Sequence, residues 1–487
     1  MKKKINHILP ALVLTASLGL TTVSCNGFLD EMPDNRTELN TDQKIAKLLV
    51  SAYADVSPNE LFELYSDNSD DSGPTYGYYK LSEQECYHWQ DTKEEYQDTP
   101  NSLWGGYYSA IAAANMALNA IEEKGNPASL DPQRGEALVC RAYCHFMLAN
   151  IFCNAYDTHA SQSLGVPYME EVETTVSPRY ERGTLEEVYR KVERDLLEGI
   201  DLISDDSYSV PKYHFTRKAA YAFAARFYLY YMKPDFSNCD RVIDFATRVL
   251  GTNPADLLRN WEALGNLSVN GNVQADAYIA SSNEANLLIS STVSNWGAIG
   301  SDYLIGPRYF HNQTLATSET CLSSGLWGSS DYFYLKPFST NGFVASILRK
   351  SGLYEGTYLY YMPVLFSTDE TLLCRAEAYA LKKMYAQSAA DITSWQRAYT
   401  RNKSVLTPEQ INTYYDRMSF YTPFTQQTPK KKLAPDFMIE EGMQENFIHC
   451  ILHIRRITTL HEGMRWPDIK RYGILIYRRD MANQPEI

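Results

Sequence analysis

Apolar residues in the middle of the chain recur at helical spacing. From Thr184 onward, Leu185, Val188, Val192, Leu196, Ile200 and Ile203 follow one another at intervals of three and four, which places them on one helix face. Thr184 and Glu187 have the spacing of a capping box that opens such a helix. Residues 133–155 are apolar on nearly all sides, the pattern of a helix held inside a stack rather than on its surface. The two are predicted to form an antiparallel pair. Residues 157–182, with Gly165-Val166-Pro167 and Ser177-Pro178, form the loop between them. A second pair is predicted over 214–232, crowded with Ala219, Ala220, Ala222, Ala224 and Ala225, and over 239–250, with Pro234 as the break between them. A third runs over 367–381 and 385–400, opened by Ser367 and Glu370 in capping-box spacing.

Helical pairs of this length, stacked in succession, have the layout of tetratricopeptide repeats, although the consensus residues of those repeats are not cleanly present. The fold class is therefore mostly α, with one continuous body over residues 25–487. Its helical scaffold occupies about 97–250 and 367–476. Between them the pattern changes. Residues 253–365 carry many Gly, Ser and Asn, short apolar runs and clustered aromatics, which reads as a loop-rich, irregular insertion with short strands. A second segment of this kind runs over 67–104. It holds Asp70, Asp71, Tyr76, Tyr78, Tyr79, Tyr87, Trp89 and Trp104, with 67–96 on the ligand side. Long loops on a rigid scaffold commonly carry function.

The N-terminus alters the setting in which this body works. Residues 1–4 include three lysines, and residues 8–20 are apolar but too short to span a bilayer, followed by small residues and Cys25. That is the layout of a secretory signal peptide over residues 1–24. Cleavage before Cys25 leaves a cysteine at the mature N-terminus, the position of lipidation by acyl chains such as palmitate, which anchor a protein without a spanning helix. Thr22 stands where the usual motif has leucine. No later segment reaches the roughly 18 consecutive apolar residues of a transmembrane helix.

Composition removes several partners. A formal net charge of -14 at pH 7 argues against nucleic acid and against a polybasic grip on anionic lipid. Besides Cys25 there are eight cysteines among the nine. Cys140, Cys144, Cys153, Cys374 and Cys450 sit in apolar helical patterns, where a thiol behaves as a small hydrophobe. No zinc-type Cys/His spacing occurs, and no cofactor is expected. Asp67, Ser69 and Asp71 alternate like the start of a calcium loop, but Gly73 falls one place late and Tyr78 stands where the closing Glu belongs. Tyrosine is abundant at 37 residues. Tyr and Trp suit contact with amphipathic ligands such as sugars, although a tyrosine-rich helical core would give the same count. No G-x-S-x-G, H-E-x-x-H or phosphate-cradling glycine loop is present, and His461-Glu462 is followed by Gly463, Met464 and Arg465.

Near the C-terminus the chain reads Arg455-Arg456-Ile457-Thr458-Thr459-Leu460-His461-Glu462-Gly463-Met464-Arg465-Trp466-Pro467-Asp468-Ile469-Lys470-Arg471-Tyr472. This resembles the signature of SusD/RagB-family proteins, an Arg-rich helix ending in Glu-Gly-x-Arg-Trp and followed by Asp-x-x-Arg. Cys25-Asn26-Gly27-Phe28-Leu29-Asp30 with Pro33, the stretch 107–121, Gly165-Val166-Pro167 and Arg375-Ala376-Glu377-Ala378 agree with the same family in the same order. Thr458-Thr459 depart from its usual acidic or apolar residues, and the chain ends sooner after the signature than family members often do, which points to a shortened or incomplete C-terminus. Physically, the signature reads as a structural clasp. Gly463 is placed to end a helix in the left-handed conformation, Arg465, Asp468 and Arg471 are spaced for salt bridges, and Trp466 packs.

The resemblance implies a SusD-like fold on the outer leaflet of the outer membrane, lipid-anchored and surface-exposed. It would cap a SusC-like TonB-dependent transporter, holding an oligosaccharide or similar nutrient and breaking no bond. Within the two loop-rich segments the candidate ligand-binding aromatics are Tyr76, Trp89, Trp296, Trp327, Tyr332 and Tyr334. The alternatives are a surface glycoside hydrolase, whose paired carboxylates a sequence cannot display in space, and a scaffold for protein or peptide partners.

Overall fold

The computed structural model describes residues 39–74, 79–95, 97–175, 178–268, 273–296, 308–329, 331–334, 339–340, 343–344 and 360–479. From Thr41 onward these form one unit. Its helices are α1 (Asp42–Leu48), α2 (Asn59–Tyr65), α3 (Leu81–Tyr87), α4 (Pro100–Glu123), α5 (Asp131–Phe152), α6 (Leu185–Leu202), α7 (Arg217–Tyr230) and α8 (Ser237–Leu250) in the first half. The second half has α9 (Trp261–Gly265), α10 (Val273–Ile279), α11 (Gln313–Glu319), α12 (Thr368–Leu381), α13 (Tyr385–Tyr399), α14 (Pro408–Arg417), α15 (Met443–Thr458) and α16 (Arg465–Tyr472). No helix among the described residues is long and apolar enough to cross a membrane.

All three predicted pairs are present: α5 packs on α6, α7 on α8 and α12 on α13. The capping box of Thr184 and Glu187 forms in both directions, and Thr407 with Gln410 makes another that opens α14. At α12 only half of the expected box exists. Ser367 Oγ accepts the Glu370 amide, but the Glu370 carboxylate turns into the core and accepts from Arg226 Nε at 3.0 Å. An ion pair formed with a different helix outcompetes the local cap. Helix α5 is buried without interruption over residues 135–150 because α4 and α6 both pack on it. Gly135 and Gly199 mark where α5 and α6 cross most closely: a Cβ on Gly135 would sit 2.8 Å from the Gly199 carbonyl oxygen, and one on Gly199 2.7 Å from that of Gly135. Cys140, Cys144, Cys374 and Cys450 are buried as expected, whereas Cys153, at the end of α5, is partly exposed.

The loop-rich segments contain short antiparallel pairings, as their composition predicts. Residues Asn286–Ile289 pair with Val364–Ser367, Thr292–Val293 with Tyr360–Tyr361, and Asp70–Asp71 with Tyr309–Phe310. They also contain the short helices α3, α9, α10 and α11, which have too few residues to show a clear period. The third pairing positions the site: it ties the first loop-rich segment to the second, with Asp71 opposite Tyr309.

Candidate functional site

A cluster of aromatic rings and guanidinium groups gathers where α2 and α3 end beside the Asp70–Asp71 pairing. Helix α3 closes through Trp89. The Trp89 amide donates to the Cys86 carbonyl at 3.0 Å and the Gln90 amide to the Glu85 carbonyl at 2.8 Å, the paired bonds of a helix that ends through a left-handed residue. Glycine ordinarily fills that position. Trp89 adopts it at φ 53°, where a side chain costs roughly 1–2 kcal/mol. The indole is 44 % exposed, with its N–H donating to the Tyr65 carbonyl at 3.1 Å. Arg478 lies 4.2 Å from the Trp89 ring centroid and 4.0 Å from that of Tyr87. Its guanidinium donates to the carbonyls of Leu64 at 2.6 Å and Ser66 at 2.8 Å, so it also caps the end of α2. Burial pushes Arg478 down to about 10, against the pull of Tyr87, Asp70 and Asp67, and it stays charged at neutral pH.

Beside Trp89 runs a second row. Tyr79, 37 % exposed, meets Tyr309 edge-on at 5.7 Å, and Tyr309 lies against Tyr87 at 4.8 Å. Arg308 covers both Tyr79 and Tyr309 and grips Asp71 with two bonds of 2.6 Å. The result is an amphipathic face. Exposed aromatic rings stand next to charged groups already held in place, an arrangement suited to a ring-shaped ligand bearing hydroxyl groups.

Beneath this face the C-terminal signature forms the expected clasp. Arg465 donates to both oxygens of Asp67 at 2.7 and 2.8 Å, Lys431 reaches the same carboxylate at 2.6 Å, and Arg456 bridges to Glu319 at 2.7 Å. Burial alone would push the Asp67 carboxyl up, but Arg456, Arg465 and Lys431 outweigh it and hold it well below the usual range. Glu319 is held at about 2, its burial likewise overcome, by Lys431, Arg456 and Arg479. Arg455 and Arg471 share Asp468 and Glu377. Trp466 packs edge-on against Tyr65 at 5.3 Å. Gly463 is left-handed at φ 73° but does not end α15, which stops at Thr458 with Thr459 as its cap. It serves instead the turn into α16, where its amide donates to Glu63 at 3.1 Å and a Cβ would come within 3.2 Å of Asn59. The departing Thr458 accepts the Trp395 indole N–H at 2.8 Å. Asp67 and Asp71, the start of the calcium-like alternation, are both occupied by cationic side chains.

Residues 27–229 match the SusD-like family model described as starch-binding and associating with the outer membrane. A putative sugar-binding protein from Bacteroides vulgatus has a solved structure that superimposes at TM-score 0.62 with 19% identity, covering 91% of this chain and 89% of that one. A SusD superfamily protein from Bacteroides fragilis gives 0.60 at 16%, covering 91% and 92%, and a SusD-like carbohydrate-binding protein from Bacteroides vulgatus gives 0.60 at 15%, covering 90% and 84%. No curated protein matches the sequence.

Over residues 27–229 the chain is similar to the SusD-like family, and its fold is that of solved SusD-superfamily structures. Its mostly helical SusD-like fold is the one expected from its sequence. On this SusD-like chain the predicted aromatics fall into different places. Trp89 is on the exposed face, and Tyr76 and Cys25 lie outside the described residues. Trp296, Trp327, Tyr332 and Tyr334 are at most 5 % exposed. Trp296 donates its indole N–H to the His461 carbonyl, and Trp327 donates to the Tyr332 hydroxyl while packing on Trp395 and His453. Tyr332 and Tyr334 pack on Tyr399 and Trp261. Covered on their faces by helices α9, α13 and α15 and by the turn after α15, these four rings belong to the core here and offer no open face to a ligand. Tyr79, Arg308 and Arg478 were not among the candidates. Tyr79 was visible in its segment; nothing local marks Arg308 or Arg478, which reach the site from sequence positions about 220 and 390 residues from Trp89.

Proposed function

We propose that this SusD-like chain is a lipid-anchored, carbohydrate-binding protein of the outer-membrane surface. It holds an oligosaccharide on the Trp89 face and passes it to a SusC-like TonB-dependent transporter, without catalysis. The observation that carries the reading is Trp89: an exposed indole kept in a left-handed backbone position that favours glycine. Strain of this kind persists where the surrounding structure enforces it, and it clusters at ligand-binding positions. A pyranose ring stacks its C–H face on the exposed part of the indole, and its hydroxyls reach the partly exposed Arg308 guanidinium, which the buried Asp71 holds in place. The family description and the sugar-binding character of the structural relatives support the ligand class.

The test is calorimetry and affinity electrophoresis of the chain against a panel of polysaccharides, with released reducing ends measured in the same samples. Saturable binding without product is expected, weakened at least about tenfold by Trp89→Gly, which removes the ring and keeps the turn. Product release would turn the reading to a hydrolase. Binding unchanged in the variant would remove Trp89 from the site. A separate pull-down with a SusC-like barrel tests the transporter partnership.

A further inference from the structure

A cavity that shares no residue with the Trp89 face lies where the 50–55 stretch, α4, the 213–214 turn and the 289–291 stretch meet. Its volume is about 530 Å³, within the usual span for small-molecule sites. Tyr213, 37 % exposed, Tyr53 and His214 line it, together with Asp55, Ser51 and Ser291.

Its polar wall is built from behind. The Phe215 amide donates to the Tyr53 hydroxyl at 2.7 Å, the Tyr53 hydroxyl donates to Glu136 Oε1 at 2.6 Å, and His214 Nδ1 meets the same oxygen at 2.7 Å. Glu136 is buried. With burial holding the Tyr53 phenol well above its ordinary value, Tyr53 remains a donor and Glu136 the shared acceptor. His214 stacks on Tyr208 at 4.5 Å and meets Tyr53 edge-on at 5.9 Å, which fixes the ring. A carboxylate on Nδ1 selects the tautomer with the proton there and leaves Nε2 as a lone-pair acceptor. No hydrogen bond to Nε2 occurs among the described residues, and the side chain is 21% exposed.

A ring fixed on three sides, with one free acceptor beside an open cavity, an exposed tyrosine face, two serine hydroxyls and an exposed carboxylate, matches the chemistry of a single sugar ring. Its C–H face stacks on Tyr213. Its hydroxyls donate to His214 Nε2 and Asp55 and accept from the serines. We propose that this cavity is a second carbohydrate site that takes one sugar unit, separate from the Trp89 face and occupied independently of it.

The test uses the full chain carrying Trp89→Gly, so that the first face cannot contribute, and free glucose, galactose, mannose and N-acetylglucosamine as probes in saturation-transfer NMR. Saturable contact with at least one of these sugars is expected, weakened about tenfold or more by Tyr213→Ala and by His214→Gln. Both substitutions alter partly exposed side chains, and circular dichroism and thermal unfolding confirm that each variant is folded. Absence of saturable contact with every probe overturns the proposal, as does contact that both pocket variants leave unchanged. Failure of the Trp89 reading would show instead in polysaccharide binding, so the two outcomes are distinguishable.

Discussion

The two loop-rich segments read alike in sequence, and the structure uses them in opposite ways. Both are aromatic and rich in turn residues. In the first, Trp89 and Tyr79 stand exposed at the end of a short helix, beside guanidinium groups delivered from afar. In the second, Trp261, Trp296, Trp327, Tyr332 and Tyr334 form a covered aromatic core under α13, α15 and the turn after α15. An aromatic ring becomes a platform or a core element according to what packs over it, and that cover comes from elsewhere in the chain.

The sharpest way to break this contrast is to remove one ring from each side. Trp327→Ala should cost roughly 3–5 kcal/mol in urea unfolding, as for other large buried aromatics. If it left stability intact and abolished polysaccharide binding, the second segment would be the binding one. Next is the clasp that supports the first segment. Asp67→Asn leaves Arg465 buried without its counter-charge, while Lys431 keeps Glu319, and should cost about 3 kcal/mol, with the unfolding midpoint as readout. No loss would mean that the exposed face does not depend on the clasp.

A smaller effect separates two groups of carboxylates by pH. Glu319 and Glu377, each held at about 2, ionise more readily in the folded chain than in the unfolded one. The stability they contribute is present above the ordinary carboxylate range and is lost as pH falls toward about 2. Where the two loop-rich segments meet, the sign reverses. Burial raises Glu83 from 4.5 to about 7, and burial with the neighbouring Asp98 raises Glu60 well above its ordinary value. Asp98, itself pushed up by burial, accepts the Asn295 amide at 2.8 Å. These groups keep protons in the folded state that the unfolded state releases, so stability declines as pH rises from about 4.5 to about 7. Glu83→Gln should flatten that decline and gain about 2 kcal/mol at pH 8 in urea titrations; an unchanged slope would place the titrating proton elsewhere. The smallest expected change in stability is for Trp89→Gly, within about 1 kcal/mol of the unaltered chain, because relief of the left-handed strain offsets the lost packing against Arg478. A thermal unfolding midpoint lowered by many degrees would make Trp89 a core residue.

The scaffold was legible because its signals are local. Leu185, Val188, Val192 and Leu196 declare α6 by spacing alone, and Thr184 with Glu187 supplies its start. The signature around Arg465 and Asp468 announced a clasp, although not that Asp67, nearly four hundred residues earlier, would be its main counter-charge. At the site Trp89 was legible as an aromatic in a turn-rich segment, and Trp296, Trp327, Tyr332 and Tyr334 looked the same to any local reading. Tyr53, Glu136 and His214 had no shared signal, being separated by as much as 162 residues between Tyr53 and the Phe215 amide that completes their chain.

By itself the sequence determined the helical periodicity, most of the caps, the family signature and the supply of aromatic and charged side chains, because each depends on residues within a few turns of one another. Only the tertiary structure decided which rings are covered and which carboxylates meet cations. It alone set which histidine nitrogen is left free. Those outcomes depend on long-range packing: burial removes water from a group, and only then does the identity of its distant neighbour fix its charge and its use.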